Sequence, residues 1–399
     1  MENEANNGAA LRISPHRVAV GMSGGVDSAA AAALLLGAGC EVVGVTCVFV
    51  DDASSAAAKR DAAAVCAHLG IEHHVWDCMG LFERTVVSPF VESYRAGMTP
   101  SPCVSCNAAC KIPALLAAAE RFGCDAVATG HYAQVECVGG RFAIKRAYTD
   151  KDQSYMLSML TQDQLSRVVF PLGGMDKDAV RAYAAELGLP VAERPESQDI
   201  CFIEGGYADF LAARGVACEP GDIVDASGTV LGRHEGLVRY TLGQRKGIGI
   251  GGAPEPYFAI GKVAAGNKLV VGPSSATRIR SAEISGLNWQ AADPGHLIGR
   301  FVKHGPVYCT VKLRYRSQAV GCYVIPADFD GEMDLEFDDI CALADSRGSG
   351  VRKCAEGVIG RLHVVFAEPQ PITAPGQFAV LYRGGTVLGA GVIERVMGA

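Results

Sequence analysis

The chain has 399 residues, of which 49% are hydrophobic and 20% are charged, and its formal net charge is −7. This length predicts two or three domains, and the composition is typical of a soluble globular protein rather than a disordered or fibrous one. The acidic balance argues against a protein that is basic throughout, so an RNA partner would need a local basic face.

The N-terminal stretch and the cysteines bear on location. Residues 1–15 carry Glu2 and Glu4 and no apolar segment, so they predict a disordered lead-in rather than a signal or transit peptide. No uninterrupted apolar run approaches bilayer length, which predicts no membrane partner. The 15 cysteines are odd in number and scattered in spacing. Without a secretion signal, they favour a reducing cytoplasm with mostly free, buried thiols.

Apolar strands alternate with helical segments from Arg17 to about Thr129. This alternation predicts a parallel sheet covered by helices on both faces, with ligands at the carboxyl ends of the strands. A further helix is expected over 163–187. The predicted strands are 18–22, 41–48, 71–76 and 126–129, and the predicted helices are 29–36, 56–69 and 81–95.

The turn after the first strand reads Ser23-Gly24-Gly25-Val26-Asp27-Ser28. Two glycines let backbone N–H groups surround an oxyanion, and the following helix start adds free donors and a positive dipole end. The turn therefore predicts a phosphate site, against the alternative of a tight turn with no ligand. It lacks the lysine of a Walker loop and the Gly-x-Gly-x-x-Gly of a dinucleotide fold. It resembles the PP-loop, whose families cleave ATP between the α and β phosphates.

A proline-rich segment, Thr99–Asn107, carries a C-x-x-C pair at Cys103 and Cys106. We predict a loop here, with regular helix beginning near Pro113, and a lowered pKa for Cys106 at that helix start. Three interpretations compete: an incidental buried pair, half of a zinc site that lacks a second C-x-x-C, and a reactive thiol. A distant segment, 196–203, predicts a polar turn that leads Cys201 onto a short apolar strand.

Glycine-rich and short alternating β segments follow from about Gly205. They predict a small β-rich central domain and then a small barrel or sandwich. Arg239, Arg245 and Lys246 form one basic cluster, and Thr310, Lys312, Arg314 and Arg316 alternate along a predicted strand. The predicted domains are a lead-in (1–15), an ATP-binding catalytic domain (16–204), a central β-rich domain (205–276) and a C-terminal β-barrel domain (277–399).

Together these motifs resemble the bacterial tRNA-specific 2-thiouridylase family over all but residues 1–15. The resemblance implies ATP-dependent replacement of the C2 oxygen of the wobble uridine of tRNA by sulfur, in the cytoplasm. The matching segments are Gly21–Ser28, Cys106-Asn107 with Lys111, Gly130–Ala133, Lys151–Tyr155, Asp199–Ile203, Gly236 with Tyr240–Gly247, Lys312–Arg316 and Pro375–Gln377.

The resemblance implies a mechanism and its partners. AMP is transferred to the uracil oxygen, which makes it a good leaving group, and Mg²⁺ would neutralise the phosphates. A sulfur nucleophile then attacks C2. Cys201 would carry this sulfur as a persulfide received from a donor protein. Cys106 would free the sulfide or resolve the intermediate, and these two cysteines can form a disulfide. The wobble uridine is expected to flip out of its stack.

The resemblance also assigns binding positions. ATP contacts fall on Gly21, Met22, Ser23, Gly24, Gly25, Val26, Asp27, Ser28, Cys47 and Gly130. The target base is expected beside Ser101, Pro102 and Cys103. Contacts to tRNA fall on His131, Lys151, Asp152, Gln153, Arg314, Tyr315 and Gln377.

One position departs from the family pattern. Many relatives carry aspartate, with a proposed acid–base role, where this chain has Cys103. Cys103, Cys106 and Cys201 could instead hold a [4Fe–4S] cluster with one open iron. Two rival functions stay open at this point. A PP-loop synthetase that adenylates a small acceptor would have no use for these thiols, and a non-catalytic RNA-binding protein would release no pyrophosphate.

Overall fold

The structure is a computed structural model that describes residues 16–192, 194, 200–203, 205–250, 255–327 and 360–398. The lead-in predicted over 1–15 lies outside the described residues. The chain divides into two compact units. The first contains the residues up to Val86, Cys103–Asp199 and Gly384–Val387, and the second contains Val87–Pro102, Ile200–Arg383 and Leu388–Ala399. The four domain boundaries given above stay a prediction.

The first half of the chain follows the predicted alternation of strands and helices. Its elements in chain order are β1 (Arg17–Gly21), α1 (Val26–Gly37), β2 (Glu41–Val48), α2 (Ala53–Leu69), β3 (Glu72–Asp77), α3 (Met79–Phe82), α4 (Ser88–Arg95), α5 (Pro102–Cys106), α6 (Ile112–Arg121), β4 (Ala126–Ala128), β5 (Ala133–Val138), β6 (Arg141–Arg146), α7 (Gln162–Arg167), β7 (Val168–Val169) and α8 (Lys177–Glu186).

The first unit is built on a five-stranded parallel sheet in the order β3-β2-β1-β4-β7. The central strand β1 is apolar throughout and Val18, Ala19 and Val20 are fully buried, as expected for a strand with helices on both faces. The alanine run of α1 packs closely because its side chains are small, and five consecutive alanines, 29–33, are buried there. The predicted α/β architecture is confirmed, with β1 and β4 ending near one another at the sheet's carboxyl edge.

Two helices contain a turn of π-helix just before a proline. The turns are Glu83–Val87, ahead of Pro89, and Asn107–Lys111, ahead of Pro113. A π turn changes the hydrogen-bond register by one residue, and a proline at the start of the next segment then costs no i→i−4 bond. The chain is therefore helical without a break from Pro102 to Arg121. The prediction of a loop around the C-x-x-C pair is wrong for this reason.

The helix predicted over 163–187 is also interrupted. The structure has α7, the short strand β7 and then α8. Pro171, Gly173 and Gly174 break the helical pattern, and Val168 and Val169 pair with β4 at the sheet edge. Tertiary pairing of two β-branched residues thus overrides the helical periodicity.

The second half of the chain is mainly β. Its elements are α9 (Tyr207–Ala213), β8 (Gly221–Val224), β9 (Val230–His234), β10 (Phe258–Val263), β11 (Lys268–Gly272), β12 (Arg278–Trp289), α10 (Pro294–His304), β13 (Val307–Lys312), β14 (Val320–Pro326), β15 (Arg361–Pro371), β16 (Phe378–Arg383) and β17 (Thr386–Gly398).

These strands form two sheets. A small sheet has the order β10-β11-β8-β9 around Ile223, Leu269 and Val271. A second sheet runs β12-β15-β14-β13-β16-β17, and β12 also pairs with β17, which closes six strands into a barrel. The predicted central β-rich domain and C-terminal barrel are confirmed. Closure removes the free strand edges that would otherwise pair with other chains.

The helix that carries the cysteine pair is apolar over 20 residues. Pro102–Arg121 is long and apolar enough, by length and composition alone, to cross a bilayer. Ile112, Leu115 and Ala118 are buried in the first unit, and the core helix of a soluble protein passes the same test.

Candidate functional site: a phosphate turn beside a cluster of thiols

The turn between β1 and α1 is held by its own hydroxyl groups. The Ser28 hydroxyl donates to the Gly25 carbonyl at 3.0 Å and accepts from the Ser23 N–H at 3.2 Å. The two hydroxyl oxygens of Ser23 and Ser28 lie 3.1 Å apart. The serines predicted to donate to phosphate thus also shape the loop that would receive it.

Two glycines are required by close backbone approach. Gly24 has a φ of 71°, and a Cβ there would lie 2.6 Å from the Ala58 carbonyl oxygen. A Cβ on Gly130 would lie 2.6 Å from the carbonyl carbon of Asp27 and 2.7 Å from the Ser28 nitrogen. The segment after β4 therefore presses directly on the start of α1. Any larger residue at either position would deform the turn.

A cavity of about 210 Å³ opens at this turn. It brings together residues from four parts of the chain that the sequence assigns to ATP or RNA, and it adds others. Predicted residues on its wall are Gly21, Met22, Ser23, Asp27, Ser28, Cys47, Gly130, His131 and Gln153, and the additional ones are Val45, Phe49, Lys111, Leu115 and Thr129. Gly24, Gly25 and Val26 belong to the same turn but do not line the cavity.

The Asp27 carboxylate is held by two distant side chains. Its Oδ1 accepts from the Lys177 ammonium at 2.7 Å and from the Tyr132 hydroxyl at 2.7 Å. The same ammonium lies 6.0 Å from the centre of the Tyr132 ring. A guanidinium N–H of Arg194 donates to the Gly24 carbonyl at 2.8 Å, and Arg194 also pairs with Asp61. Two cations thus contact the phosphate turn.

His131 lies in the cavity as a neutral imidazole. Burial, with a smaller contribution from the Lys111 ammonium, lowers the pKa of His131 to about 3. Its Nδ1 lies 2.7 Å from the Thr129 hydroxyl. A neutral imidazole can accept a hydrogen bond from a ribose or base as well as donate one.

Four thiols form a cluster next to the cavity. Cys47 contacts Cys78, and Cys106 contacts Cys110, while charge interactions connect Cys78 with Cys106 and Cys47 with Cys110. The contact with Cys78, together with burial, raises the pKa of Cys47 well above its usual range. The Lys111 ammonium lies close enough to oppose the rise at Cys47 and at Cys106.

The expected pKa change at Cys106 has the opposite sign. The contact with Cys110 and then burial raise the pKa of Cys106, whereas the contact with Cys106 lowers the pKa of Cys110. Cys106 lies at the end of α5, one turn inside a continuous helix rather than at a helix start. The dipole argument therefore does not apply to it, and the neighbouring thiol dominates.

The other two predicted cysteines are more accessible. Cys103 is exposed in the first turn of α5, after the half-buried Ser101 and the buried Pro102. Cys201 is exposed in a turn and not on the predicted strand. Phe202 next to it packs edge-on against Phe90, with ring centres 5.3 Å apart. Glu196–Asp199, the polar turn predicted ahead of Cys201, lies outside the described residues.

The described residues contain no group of three or more His, Cys, Asp or Glu side chains that could hold a metal ion. The iron–sulfur cluster considered above therefore stays a prediction, and no chemical step is assigned to it. Mg²⁺ is a different case, because it is usually held by one or two carboxylates and the phosphates of its nucleotide. Asp27 on the cavity wall is compatible with that arrangement.

Several residues predicted to contact tRNA have structural partners. The Asp152 carboxylate is buried and accepts from Arg146 Nε, two backbone N–H groups and the Ser154 hydroxyl at 2.9–3.1 Å. Gln153 Oε1 accepts from the Tyr132 N–H at 3.0 Å, and Lys151 is exposed beside them. These residues fix the segment that faces the cavity, and their contact with RNA stays a prediction.

Gln377 also has a structural partner. Its Nε2 donates to the Thr99 carbonyl at 2.6 Å, and the Thr99 N–H donates to the Pro375 carbonyl at 2.8 Å. Gln377 thus holds the stretch that leads into α5.

The basic strand face predicted in the barrel is wrong in part. The strand β13 ends at Lys312, so Arg314 and Arg316 lie in an exposed turn. Lys312 is 7% exposed and its ammonium lies 5.9 Å from the centre of the half-buried Tyr315 ring. Because the chain turns directly after Lys312, alternation along a strand no longer places these residues on one face. Arg314, Arg316, Arg245 and Lys246 remain exposed cations.

Sequence reasoning missed several site residues. Lys111 and Tyr132 stood inside matching segments without a role, and Thr129 was only the end of a predicted strand. Lys177 and Arg194 lie in a region without a motif, and no local signal singled them out. A search for cations in the helix after β7 would have named Lys177 as one candidate among several.

Three family models match the chain: the tRNA methyl transferase HUP domain over residues 16–205, the tRNA methyl transferase PRC-barrel domain over 208–273 and the aminomethyltransferase beta-barrel domain over 353–393. The chain is 39% identical to the tRNA-specific 2-thiouridylase MnmA of Gloeothece citriformis, over 95% of this chain and 100% of that protein. It is 47% identical to that of Azorhizobium caulinodans, over 86% of this chain and 93% of that protein.

Solved structures resemble the chain more weakly. The chain is 16% identical to the U34-tRNA thiolase NcsA from Methanococcus maripaludis with its [4Fe-4S] cluster. That match has a TM-score of 0.29 and covers 50% of this chain and 63% of that one. At that score the likeness says nothing about this chain's ligands.

Proposed function

We propose that this chain, which belongs to the tRNA-specific 2-thiouridylase family, thiolates the wobble uridine of tRNA at C2 in the cytoplasm, by adenylation followed by sulfur transfer. The observation that carries the proposal is that an ATP-type phosphate turn and a thiol cluster lie together in one unit. Cys47 belongs to both the cavity wall and the cluster, and Lys111 lines the cavity and acts on the thiols of Cys47 and Cys106. A small-molecule synthetase needs the turn but not the thiols. An RNA-binding protein without catalysis needs neither.

The first step uses the phosphate turn. The uracil O2 attacks the α-phosphorus of ATP, the bond to the β-phosphate oxygen breaks, and pyrophosphate leaves with that bonding pair. Backbone N–H groups of the turn and the hydroxyls of Ser23 and Ser28 bind the phosphates, and Lys177 and Lys111 supply positive charge. Mg²⁺ would supply charge neutralisation at the departing pyrophosphate, with Asp27 as its protein contact.

The second step uses the cysteines. The outer sulfur of a persulfide on Cys201 attacks C2, and AMP departs with its oxygen. The Cys106 thiolate then attacks the inner sulfur, which leaves sulfur on the uridine and a disulfide between Cys106 and Cys201. Cys106 is stored as a protonated thiol because the contact with Cys110 raises its pKa. The Lys111 ammonium favours the thiolate once that contact is broken.

Two partners are part of the proposal. The tRNA would be bound through exposed cations such as Arg314, Arg316 and Arg245. A persulfide-carrying donor protein would load Cys201, whose exposure makes it reachable. Neutral His131 and Gln153 would meet the flipped nucleotide or its neighbour at the cavity.

The deciding experiment is mass spectrometry of tRNA after incubation with the protein, ATP, Mg²⁺ and a persulfide donor. We expect the mass change of sulfur for oxygen at the wobble uridine, together with tRNA-dependent pyrophosphate release. Activity that survives alanine at both Cys106 and Cys201 would favour the small-molecule synthetase. A protein that binds tRNA but releases no pyrophosphate would favour the non-catalytic alternative.

A further inference from the structure

Three cysteines follow one face of the helix that begins at Pro102. Cys103, Cys106 and Cys110 are spaced i, i+3 and i+7, so their side chains line up along the helix. Exposure decreases in that order: Cys103 is exposed, Cys106 is intermediate and Cys110 is fully buried. The pair Cys103 and Cys106 is therefore a C-x-x-C dithiol with its outer sulfur open to solvent.

A C-x-x-C pair whose first cysteine lies in the first turn of a helix and whose second lies one turn further has the spacing of dithiols that exchange with disulfides. An outer, accessible thiol attacks or is attacked, and an inner thiol one turn away closes the ring. Burial raises the pKa of Cys103, and the contact with Cys110 followed by burial raises the pKa of Cys106. The Lys111 ammonium lies close enough to oppose both rises. The Lys111 ammonium can therefore stabilise the thiolate of either cysteine.

The reaction proposed above leaves a difficulty that this pair can remove. Each turnover ends with Cys201 bonded to Cys106, and Cys201 cannot be reloaded until that bond is broken. The inference that follows rests on this proposed function.

We propose that Cys103 is the resolving thiol of this enzyme, which moves the disulfide from Cys106–Cys201 to Cys103–Cys106. The Cys103 thiolate attacks the sulfur of Cys106, a Cys103–Cys106 bond forms, and Cys201 leaves as a thiolate that takes up a proton. No net electrons are exchanged in this step. An external dithiol reductant then opens the exposed Cys103–Cys106 bond by two exchanges and becomes oxidised itself.

Cys110 is the competing candidate, since it contacts Cys106 and has the lower pKa of the two. It is 0% exposed, so a reductant protein has no access to a bond that it forms. It also lies inside the π turn of residues 107–111. Its contact instead keeps Cys106 protonated between turnovers.

The test maps disulfides by mass spectrometry after turnover is stopped by acid and alkylation. The protein is loaded with persulfide and given ATP, Mg²⁺ and tRNA in the absence of reductant. The wild type should yield a Cys103–Cys106 bond and an alkylated Cys201. The Cys103→Ser variant should yield Cys106–Cys201 for each thiolated tRNA it makes, and should stop after one turnover even when reductant is present.

The Cys137→Ser variant is the matched control, because Cys137 is exposed on β5, does not line the cavity and is not one of the four clustered thiols. It should behave as the wild type. A wild-type protein that retains Cys106–Cys201, or a Cys103→Ser variant that turns over repeatedly with reductant, would overturn the inference. A Cys106–Cys110 bond would transfer the role to Cys110.

A second measurement separates this inference from the proposed function. The protein alone, without tRNA, is equilibrated with reduced and oxidised glutathione, and its bonds are mapped. Formation of Cys103–Cys106 before any other bond supports the dithiol, and its absence at the most oxidising ratio contradicts it. If the bond forms but no tRNA is thiolated under any condition, the proposed function fails while the dithiol stands.

Discussion

The Lys177 ammonium lies 2.7 Å from Oδ1 of Asp27, although the two residues are 150 positions apart in the chain. The Lys177 side chain is only 11% exposed. In this position its positive charge neutralises the Asp27 carboxylate in the phosphate turn, beside the predicted binding place of the ATP phosphates. An unbalanced Asp27 would repel the nucleotide.

We expect Lys177→Met to weaken ATP binding about ten- to hundredfold, since a hydrogen bond to a charged group contributes about 1.5–3 kcal/mol. Lys177→Arg should retain most of the affinity because it keeps the charge. Calorimetric titration with a non-hydrolysable ATP analogue and Mg²⁺ measures the effect. Lys268→Met, at an exposed lysine of β11, is the control. Equal ATP affinity in Lys177→Met and the wild type would remove Lys177 from the site.

The raised pKa of Cys106 has a reactivity consequence. Its largest cause is the contact with Cys110, so Cys110→Ala should lower the pKa of Cys106 and speed its alkylation at pH 8. The pH dependence of iodoacetamide labelling, followed on the Cys106 peptide, should move to lower pH. Cys124→Ala removes another buried thiol and should leave the profile unchanged. A profile that does not move in Cys110→Ala would mean that burial alone controls Cys106.

The lowered pKa of His131 predicts that the protein loses stability in acid. The folded-state pKa is lowered to about 3 by burial, while the unfolded value is about 6.5, so the unfolded chain binds the proton first. The contribution of neutral His131 to the free energy of unfolding is therefore fully present above about pH 6.5. It falls as the pH drops from there towards 3, by at most about 1.4 kcal/mol per pH unit.

Urea unfolding at pH 7 and pH 5 measures this contribution. We expect His131→Gln to reduce the difference in unfolding free energy between these pH values by about 1–2 kcal/mol. His296→Gln, at an exposed histidine near the start of α10, should not. If both variants keep the full difference, the half-buried His131 is not held as a neutral imidazole.

The two arginines in the turn after β13 are predicted to affect RNA binding and not ATP binding. Arg314 and Arg316 are exposed, so Arg314→Ala with Arg316→Ala should weaken tRNA binding without changing ATP affinity. The slope of log affinity against log salt should fall by about one to two, as expected for two lost phosphate contacts. Filter binding over a range of salt concentrations tests this, and an unchanged slope would contradict it.

Lys312 should behave differently from these arginines. Its stem is buried and its ammonium lies over Tyr315, so Lys312→Ala should reduce stability by about 1–2 kcal/mol through lost packing. Lys312→Met keeps most of the packing and should restore the melting temperature. If Lys312→Ala loses much of its tRNA affinity while its stability stays normal, Lys312 contacts the tRNA after all.

Removal of iron tests the cluster that the three cysteines suggested. The described residues hold no metal-binding group of three, so we expect protein purified anaerobically and then treated with an iron chelator to thiolate tRNA when a persulfide donor is supplied. Assays for iron and acid-labile sulfide accompany the measurement. About four of each per chain, with activity that disappears on chelation, would reverse this expectation.

Local sequence was sufficient for the frame of the first unit. The strand, glycine turn and alanine-rich helix from Arg17 to Gly37 are contiguous, and their preferences for strand, turn and helix agree with one another. Prediction from local sequence failed where two structural preferences conflicted. Pro113 indicated a helix start, yet a π turn places it inside a continuous helix, and the helical spacing over 163–187 yields to strand pairing at Val168 and Val169.

The sequence by itself determined the glycine turn between β1 and α1, the alternation of strands and helices around it, and the family, because each depends on neighbouring residues or on an ordered series of short motifs. Only the tertiary structure decided the chemical state of the site. The pairing of Asp27 with Lys177, the contact of Cys106 with Cys110 and the neutral form of His131 depend on distance and burial. Such electrostatic effects act between groups that are close in space, and no local pattern in the chain records which distant groups will meet.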